Sequence, residues 1–545
     1  MTRWLVIATI PIGISAAHAS PASDCGNLTG SAAISACTQV IRRNPRDANA
    51  YYNRGIHHTT RGALDRALAD YTNAITLKPK FANAYSNRGF AYLEKGVLDE
   101  ALADSSKAIE LNPRLPNAYG NRGLVSFRRG EFDQALADFS KAIEIDPRFA
   151  SAYGNRGLIY ARQGELDRAL AEYSKAIETY PRDANVLNNR GSIYYLRGAL
   201  DQALADFTKA IEIYPKFANA YSNRGLVYWL KGALDQAFAD SSTAIELNPK
   251  DASAHANRGE IYFLRGVLDQ ALAEYSKAIE INPKEGSAYV NRSRVYRARG
   301  ALDQGFADCT KAIELDAKDA KAHNACGGIH RDRGALDQAF ADYTKAIELD
   351  PRFAAAYGNR GGIYRARGAL DQALADYAKG IEINPGDGAL WLVSGSARFA
   401  KGDFKAASTD LLRAIELNGD RYAMLWGYLA RSRLGDDAAS ELEANAGRLT
   451  TNEWPYAVFE LYLGKRSIAA TFDATTKPDE RCEAHFYVGE LQILQGQEAE
   501  AEQSLKAAVE SCPKTFLEFS GAVAGIKRLG DSALRKTQPE PSENK

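Results

Sequence analysis

The sequence of 545 residues has no excess of either charge sign, because 68 basic residues are matched by 68 acidic ones. A chain without polycationic character has no general surface for nucleic acid or anionic membranes, so neither is predicted as a partner. After the N-terminal segment no stretch is apolar for long enough to span a bilayer. The phosphate-binding motif GxxxxGK[ST], the zinc motif HExxH and the nucleophile motif GxSxG are also missing. The sequence therefore predicts a protein that is not an enzyme and has no cofactor.

The N-terminus has the features of a secretory signal peptide over residues 1–19. A single basic residue, Arg3, precedes an apolar run from Trp4 to Ile14, and a small-residue cleavage site ends at Ala19. Cys25 follows Asp24, so the small residue that a lipoprotein signal needs before its cysteine is missing. These features predict a soluble exported protein, with the periplasm as its compartment.

Export changes the meaning of the six cysteines, because oxidising compartments favour disulfides over free thiols. The cysteines form three pairs that are local in sequence, namely Cys25 with Cys37, Cys309 with Cys326, and Cys482 with Cys512. We expect the first and third pairs to be bonded. For Cys309 and Cys326 a disulfide, two buried thiols and a zinc site with His323 and His330 are all compatible with the sequence. Both histidines occupy positions that hold tyrosine in other repeats, which favours an aromatic packing role over metal binding.

A repeat of 34 residues organises the chain from residue 48 to residue 421. It gives eleven units, the first starting at Ala48 and the last, degenerate one at Gly388, and residues are numbered by position within these units below. Each unit has two apolar helical patterns with a glycine between them at position 15, and most units end near a proline at position 32. Such a hairpin cannot bury its own apolar face, so neighbouring units must stack into a solenoid.

The repeated residues resemble the tetratricopeptide repeat. In one unit the matching residues are Tyr221, Gly225, Tyr228, Ala237, Ala244 and Pro249. The resemblance implies an all-α, right-handed superhelical solenoid whose first helices line a concave groove, and it implies binding of proteins or extended peptides. Arg224 and Ser241 depart from the residues that the family prefers at those positions.

The segments on either side of the repeats complete the predicted organisation. Residues 20–47 are predicted to form an N-terminal capping hairpin, and residues 422–530 a diverged helical region that covers the end of the array. Within it, residues 482–513 resemble one more diverged unit, and a last apolar helix begins at Phe516. Residues 531–545 are polar and are predicted to be a disordered tail. The oligomeric state is left open.

An arginine at position 7 and an acid at position 23 are copied together, which predicts an ion-pair ladder between packed helices. The arginine is present in nine units, and the acid in all eleven. The sequence does not decide whether each arginine meets the acid of its own unit or of the preceding one.

An asparagine at position 6 accompanies the arginine in the same nine units. These residues are Asn53, Asn87, Asn121, Asn155, Asn189, Asn223, Asn257, Asn291 and Asn359. One interpretation is a tolerated polar residue or a local hydrogen bond. The other rests on a similarity to the asparagine ladder in the repeat region of O-linked N-acetylglucosamine transferases, although the chain shows nothing like their catalytic half. That similarity implies amides that face the groove and hold a peptide backbone, so their replacement should weaken binding and leave stability nearly unchanged.

The character of the predicted groove changes along the array. Early units place apolar residues on the first helix, namely Phe90, Leu93, Leu124, Phe127 and Leu158, whereas later units place Arg294, Arg297, Arg331 and Arg365 there. A peptide with hydrophobic and acidic segments would fit such a groove. The alternative interpretation is that some of these residues pack against neighbouring units.

Two functions are compatible with these features. The first is a non-enzymatic interaction scaffold or peptide-binding adaptor in the cell envelope. The second is an assembly or export factor for a polysaccharide or secretion complex, in which the diverged C-terminal region makes the main contact.

Overall fold

The computed structural model describes Cys25, residues 30–449 and residues 453–537, with side chains up to residue 531. The predicted signal peptide and residues 538–545 lie outside these ranges. Within them every regular element is a helix.

Both helices of each of the eleven predicted repeats are present, including those of the degenerate eleventh. The first helices of the repeats are α2 (Ala48–Thr60), α4 (Ala82–Lys95), α6 (Pro116–Arg129), α8 (Ala150–Arg162), α10 (Ala184–Leu196), α12 (Ala218–Leu230), α14 (Ala252–Leu264), α16 (Gly286–Ala298), α18 (Ala320–Asp332), α20 (Ala354–Ala366) and α22 (Gly388–Lys401). The second helices are α3 (Leu64–Leu77), α5 (Leu98–Leu111), α7 (Phe132–Ile145), α9 (Leu166–Thr179), α11 (Leu200–Ile213), α13 (Leu234–Leu247), α15 (Leu268–Ile281), α17 (Leu302–Leu315), α19 (Leu336–Leu349), α21 (Leu370–Ile383) and α23 (Phe404–Asn418).

Eight further helices flank the repeats. They are α1 (Gly30–Arg43) before the array, and α24 (Arg421–Leu434), α25 (Ala439–Ala446), α26 (Tyr456–Tyr462), α27 (Ile468–Asp473), α28 (Pro478–Leu494), α29 (Glu498–Ser511) and α30 (Leu517–Thr537) after it.

The chain divides into two compact units, Met1–Gln270 and Ala271–Lys545. Within each unit the first helix of a repeat packs on its own second helix, and that second helix packs on the next first helix. Successive first helices also contact one another, as α4 does with α6 and α16 with α18, which places the first helices on the inner side. The predicted all-α solenoid of helical hairpins is confirmed. That one superhelix runs unbroken through residues 48–421 stays a prediction.

Two copied glycines set the geometry of each hairpin. Gly96, at position 15, ends α4 with φ of 78°, a left-handed conformation that glycine adopts without strain. Gly123, at position 8, lies where α6 crosses α7, and a Cβ atom there would stand 2.9 Å from the Phe139 ring. The crossing helices also bury small residues, such as Ala135 and Ala142, without any exposure. Close helix packing therefore depends on residues that have almost no side chain.

The copied arginine pairs with the acid of its own repeat, which settles the question that the sequence left open. Arg122 donates from Nε and Nη2 to the two carboxylate oxygens of Asp138, at 2.9 and 2.7 Å. The same two-bond pair joins Arg54 to Asp70, Arg88 to Asp104, Arg156 to Glu172, Arg190 to Asp206, Arg224 to Asp240, Arg292 to Asp308 and Arg360 to Asp376. Several of these arginines use Nη1 to reach a hydroxyl of the preceding repeat, as Arg190 does with Ser174 Oγ at 3.2 Å. Each such guanidinium therefore ties two repeats together.

The three predicted cysteine pairs lie at disulfide distance. The Cα atoms are 4.5 Å apart for Cys25 and Cys37, 5.5 Å for Cys309 and Cys326, and 5.1 Å for Cys482 and Cys512. These separations fall within the range that a disulfide requires, which supports all three pairs.

Of the predicted capping hairpin at residues 20–47, the described part contains the helix α1, and the hairpin stays a prediction. The segments after the repeats differ from the prediction in two places. The short helices α26 and α27 were not predicted, because six or seven residues are too few to show a periodic pattern. Helix α30 continues to Thr537, so the part of the predicted tail from 531 to 537 is helical. The C-terminal region otherwise builds the predicted cap around a buried cluster that includes Trp426, Phe486 and Tyr487.

Replacing Arg122 by Ala is expected to lower the free energy of unfolding by about 1–3 kcal/mol, because Asp138 is only 2% exposed and would lose its partner. Denaturant unfolding measured by circular dichroism tests this. The control is Lys141→Ala in the same repeat, whose exposed pair with Glu144 should not matter measurably. Equal midpoints for the Arg122 variant and the wild type would contradict the structural role of the pair.

Candidate functional site

The copied asparagines were expected to face the groove. In the structure most of them are buried instead. Six of them, Asn53, Asn87, Asn121, Asn155, Asn189 and Asn223, are at most 9% exposed, and only Asn257, Asn291 and Asn359 are half-buried. The prediction of an open amide ladder is therefore wrong for the first six repeats. The physical reason is that position 6 faces the first helix of the preceding repeat.

In several repeats the amide donates to position 5 of the preceding repeat. Asn121 Nδ2 reaches the backbone oxygen of Ser86 at 2.9 Å, and Asn223 Nδ2 reaches Asn188 Oδ1 at 3.0 Å. The half-buried Asn359 makes the same contact, with Asn324 Oδ1 at 2.9 Å. The asparagine thus acts as a second tie between successive repeats.

The apolar residues predicted for the early groove are also buried. They pack in a cluster between neighbouring repeats, and none is more than 8% exposed: Phe90, Leu93, Leu124, Phe127 and Leu158. The alternative interpretation, packing against neighbours, is the correct one for them.

A cavity of about 480 Å³ opens on the inner face of the last three repeats, in the second unit. Its size lies within the usual range of ligand sites. First helices α18, α20 and α22 supply most of its lining, and the segment from Thr515 to Leu517 closes one side. Small residues leave the space open: a Cβ atom on Gly362 would meet nothing within 4 Å.

Arg365 connects the cavity to the C-terminal segment. It is 4% exposed, and its Nη1 and Nη2 atoms donate to the backbone oxygens of Phe516 and Thr515, each at 2.5 Å. Nη1 also reaches Ser520 Oγ, at 2.8 Å. One arginine of the inner face therefore binds two successive carbonyls of a non-helical segment, which is the kind of contact that an extended peptide would offer.

Of the other predicted groove arginines, Arg294 donates from Nη1 to Asn291 Oδ1 at 3.4 Å, whereas Arg297 and Arg331 share one acid. Arg297 Nε lies 2.5 Å from Asp332 Oδ2, and Arg331 donates to Asp332 Oδ1 from Nε and Nη2, both at 3.2 Å. Arg331, Asp332, Asn359 and Arg365 all line the cavity. Of the asparagines proposed from sequence, Asn359 is thus the one found in this lining.

Two buried carboxyl groups, Glu483 and Glu518, lie in the C-terminal region, and Glu518 directly follows Leu517 of the cavity lining. Glu483 Oε2 accepts from Trp454 Nε1 at 2.7 Å and from Tyr422 Oη at 3.1 Å, and Glu518 Oε1 accepts from Tyr487 Oη at 2.8 Å. Burial, and to a smaller extent the negative charge of the neighbouring Glu518 when ionised, raise the pKa of Glu483 to about 7. Burial also raises the pKa of Glu518, which favours its neutral form.

The cysteine and histidine cluster has partners other than a metal. Cys309 and Cys326 form one of the pairs at disulfide distance, and His330 Nδ1 lies 2.7 Å from Asp342 Oδ2. His323 Nε2 lies 3.3 Å from the backbone oxygen of Ala317. Among the described residues no three His, Cys, Asp or Glu side chains are grouped as metal ligands.

A second, exposed ladder of ion pairs joins successive repeats and was not predicted from the sequence. A lysine or arginine at position 14 pairs with the aspartate at position 18 of the preceding repeat, as Lys231 does with Asp201 at 2.7 Å and Lys401 with Asp371 at 2.5 Å. The same period of 34 residues carries this pair, so the sequence contained the signal. No repeated pattern predicted the contact between Arg365 and the segment Thr515–Leu517 that closes one side of the cavity, because Arg365 and Thr515 are 150 residues apart.

Family models for the tetratricopeptide repeat match more than half of the chain. A model described as TPR repeat matches residues 57–96, 123–164, 157–198, 191–232 and 327–364. Models described as tetratricopeptide repeat match residues 82–115, 218–251, 242–286 and 354–387.

Solved structures of repeat proteins resemble the chain at low overall similarity. A tetratricopeptide repeat protein from Parabacteroides merdae ATCC 43184 is 22% identical, with a TM-score of 0.39 over 45% of this chain and 97% of its own. Yeast Tom70 is 18% identical, with a TM-score of 0.37 over 77% and 99%. YrrB, described as a TPR protein with an unusual peptide-binding site, is 29% identical, with a TM-score of 0.27 over 34% and 96%. No curated protein matches the sequence. No helix in the described residues is long and apolar enough to cross a membrane.

Replacing Asn121 by Ala is expected to lower the free energy of unfolding by about 0.5–1.5 kcal/mol, because the backbone oxygen of Ser86 loses a buried hydrogen bond. The matched control is Asn73→Ala, which removes an exposed amide from a second helix. Equal stability of the two variants in thermal or denaturant unfolding would show that the amide of Asn121 does not stabilise the fold, as the sequence had predicted.

The stability of the second unit is expected to fall as the pH rises from about 4.5 to about 7. Glu483 keeps its proton in the folded state over this range, whereas the unfolded chain releases it near its ordinary pKa of 4.5, so folding loses free energy as the pH increases. Glu483→Gln should flatten this slope, and Glu510→Gln, on an exposed face of α29, should leave it unchanged. Urea unfolding at a series of pH values measures the slopes, and identical slopes for all three proteins would contradict the assignment.

Proposed function

The chain belongs to the tetratricopeptide repeat family, and from this premise we propose that it is a non-enzymatic interaction scaffold of the cell envelope that binds an extended peptide. Repeats of this family bind peptides and proteins, which supports the general role. The binding site that we propose is the cavity on α18, α20 and α22.

The observation that carries the proposal is the contact between Arg365 and the C-terminal segment. The guanidinium binds the backbone oxygens of Thr515 and Phe516 on the inner face, and the open space beside them is lined by the same first helices. Backbone carbonyls are common to all peptides, so a surface that binds them in one segment of the chain is suited to bind them in another. An extended peptide alongside the turn at Thr515–Leu517 would fill the cavity.

Placement in the cell envelope rests on the sequence together with the cysteine pairs. Residues 1–19 have the features of a signal peptide, and the pairs at disulfide distance suit an oxidising compartment. We therefore propose that the partner is an exported protein or an exposed segment of one.

The alternative, an assembly or export factor, requires the diverged C-terminal region to make the main contact. In the structure this region directs Trp426, Phe486 and Tyr487 into its own buried cluster, and α30 packs on the last repeat. These contacts are those of a cap, so we propose the repeat groove as the principal binding surface.

The proposed site is tested by filling the cavity. Peptides are first selected on the wild-type protein from a displayed random library, and their affinities are measured by fluorescence anisotropy. Gly362→Trp should weaken their binding at least tenfold, because the indole enters the open space above α20. The control Ala378→Trp places the same indole on an exposed position of α21 and should leave affinity unchanged.

Either of two results would contradict the proposal. One is the absence of any enriched peptide. The other is equal affinity for the Gly362→Trp variant and the wild type when both melt normally.

A further inference from the structure

Buried acids in the C-terminal cap differ in whether they meet a cation. Glu490 is fully buried, and both Arg433 and Arg528 pair with its carboxylate. Glu483 and Glu518 are 8% and 3% exposed, yet neither forms an ion pair with any described residue. A buried carboxylate without a cation costs free energy, which a neutral carboxyl group avoids. The state of these two acids therefore depends on protons.

Few of the groups around this pair could balance a negative charge. The titratable and hydrogen-bonding side chains that act on it are Tyr422 and Trp426 of α24, Trp454, Tyr462 of α26, Asp479 and Tyr487 of α28, and Arg365 of α20. Arg365 and a place in the first turn of α30 favour the ionised form of Glu518, but burial has the larger effect and raises its pKa. Burial, together with the negative charges of Glu518 and Asp479, raises the pKa of Glu483 to about 7. The pair therefore holds a proton below neutral pH and releases it above.

The pair lies beside the wall of the cavity. Glu518 directly follows Leu517, the last residue of the wall in the cavity lining. Cys482 adjoins Glu483 in sequence, and its partner at disulfide distance, Cys512, lies where the chain leaves α29 toward the wall. Both carboxyl groups are thus attached, through the chain, to the segment that closes the cavity.

Residues 513–520 lie between two fixed points. On one side the Cys482–Cys512 pair anchors the chain to α28. On the other side Arg528 of α30 donates from Nη1 to two backbone oxygens at the end of α22, at 3.3 and 3.1 Å. Between these points the hydrogen bonds of Arg365 hold the chain to α20. A local displacement is therefore confined to residues 513–520, which we call the latch segment.

We propose that Glu483 and Glu518 form a proton-controlled latch, which keeps the latch segment closed on Arg365 while the pair holds a proton. When the carboxyl groups have released their protons to solvent, the pair places two negative charges in buried surroundings. The latch segment then moves away from Arg365 and admits water, because its two ends are fixed and the rest of the cap is closely packed. The latch operates without a ligand, whereas its effect on binding rests on the proposed peptide-binding function.

Amide hydrogen exchange of the full chain without peptide, at pH 6 and pH 8, tests the latch. The readout is the exchange rate of residues 513–520 divided by that of α29 in the same sample, because the chemistry of exchange changes equally for both. This ratio should rise at least threefold from pH 6 to pH 8 in the wild type. In the double variant with Glu483→Gln and Glu518→Gln it should stay constant, since neutral amides replace both carboxyl groups.

Glu510→Gln, on an exposed face of α29, is the matched control, and it should show the same rise as the wild type. Binding is measured by fluorescence anisotropy at both pH values, with peptides selected on the wild type at pH 6. Their affinity should fall at least threefold between pH 6 and pH 8 on the wild type and on the control. It should not change on the double variant, which also excludes titration of the peptide itself as the cause.

A ratio that stays constant in the wild type would overturn the inference, and this result does not require that the double variant folds. A rise that persists in the double variant would overturn it as well, and so would equally faster exchange throughout α24, α28 and α30, because the whole cap would then loosen. Movement of the latch segment without any peptide binding at the cavity would refute the proposed function alone. Movement together with an affinity that does not depend on pH would refute the control of binding by the latch.

Discussion

The two-bond contact between a copied arginine and the acid of its own repeat is the interaction on which the rest of the structure depends. It is bidentate, largely buried and present in both units, and the free arm of several of these arginines reaches a hydroxyl of the preceding repeat. Apolar packing alone would allow neighbouring hairpins to slide, because alanines and glycines at the crossings offer little shape to lock. The buried polar atoms find their hydrogen-bond partners in only one relative position of neighbouring repeats. This requirement fixes the register of each repeat on the next.

The copied asparagine also holds each repeat in register with the preceding one, so its repetition reflects a structural role. Its amide is buried and bonded to the preceding repeat in cases such as Asn121 and Asn223. The asparagine and arginine copied in nine of the eleven repeats are therefore architecture, and the proposed recognition rests on positions that vary. Position 12 shows this clearly: it holds the buried Leu93 in one repeat, Trp229 in another and Arg365 in a third. The arginines at this position lie beside the cavity and the C-terminal wall.

The sequence predicted the fold well because its determinants are local and periodic. Glycines such as Gly96, alanines such as Ala135 and the prolines after the second helices occur at fixed positions, so eleven hairpins could be placed within a residue or two. The pairing of Arg122 with Asp138 needed the structure, because the sequence alone did not decide between this acid and Asp104 of the preceding repeat. The asparagines were misplaced because a family geometry suggested exposure, whereas burial depends on how closely the first helices approach. The wall at Thr515 depends on a contact across 150 residues, which no period in the sequence indicates.

The central claim is that recognition belongs to the inner face of the last three repeats and not to the copied asparagines. Amide hydrogen exchange of the full chain, with and without a peptide selected on it, tests this most directly. The account predicts slower exchange in α18, α20, α22 and the segment 515–517, with no change in the first helices from α2 to α12, where the buried asparagines lie. Slower exchange along the first helices from α2 to α12, with α18 to α22 unaffected, would contradict it.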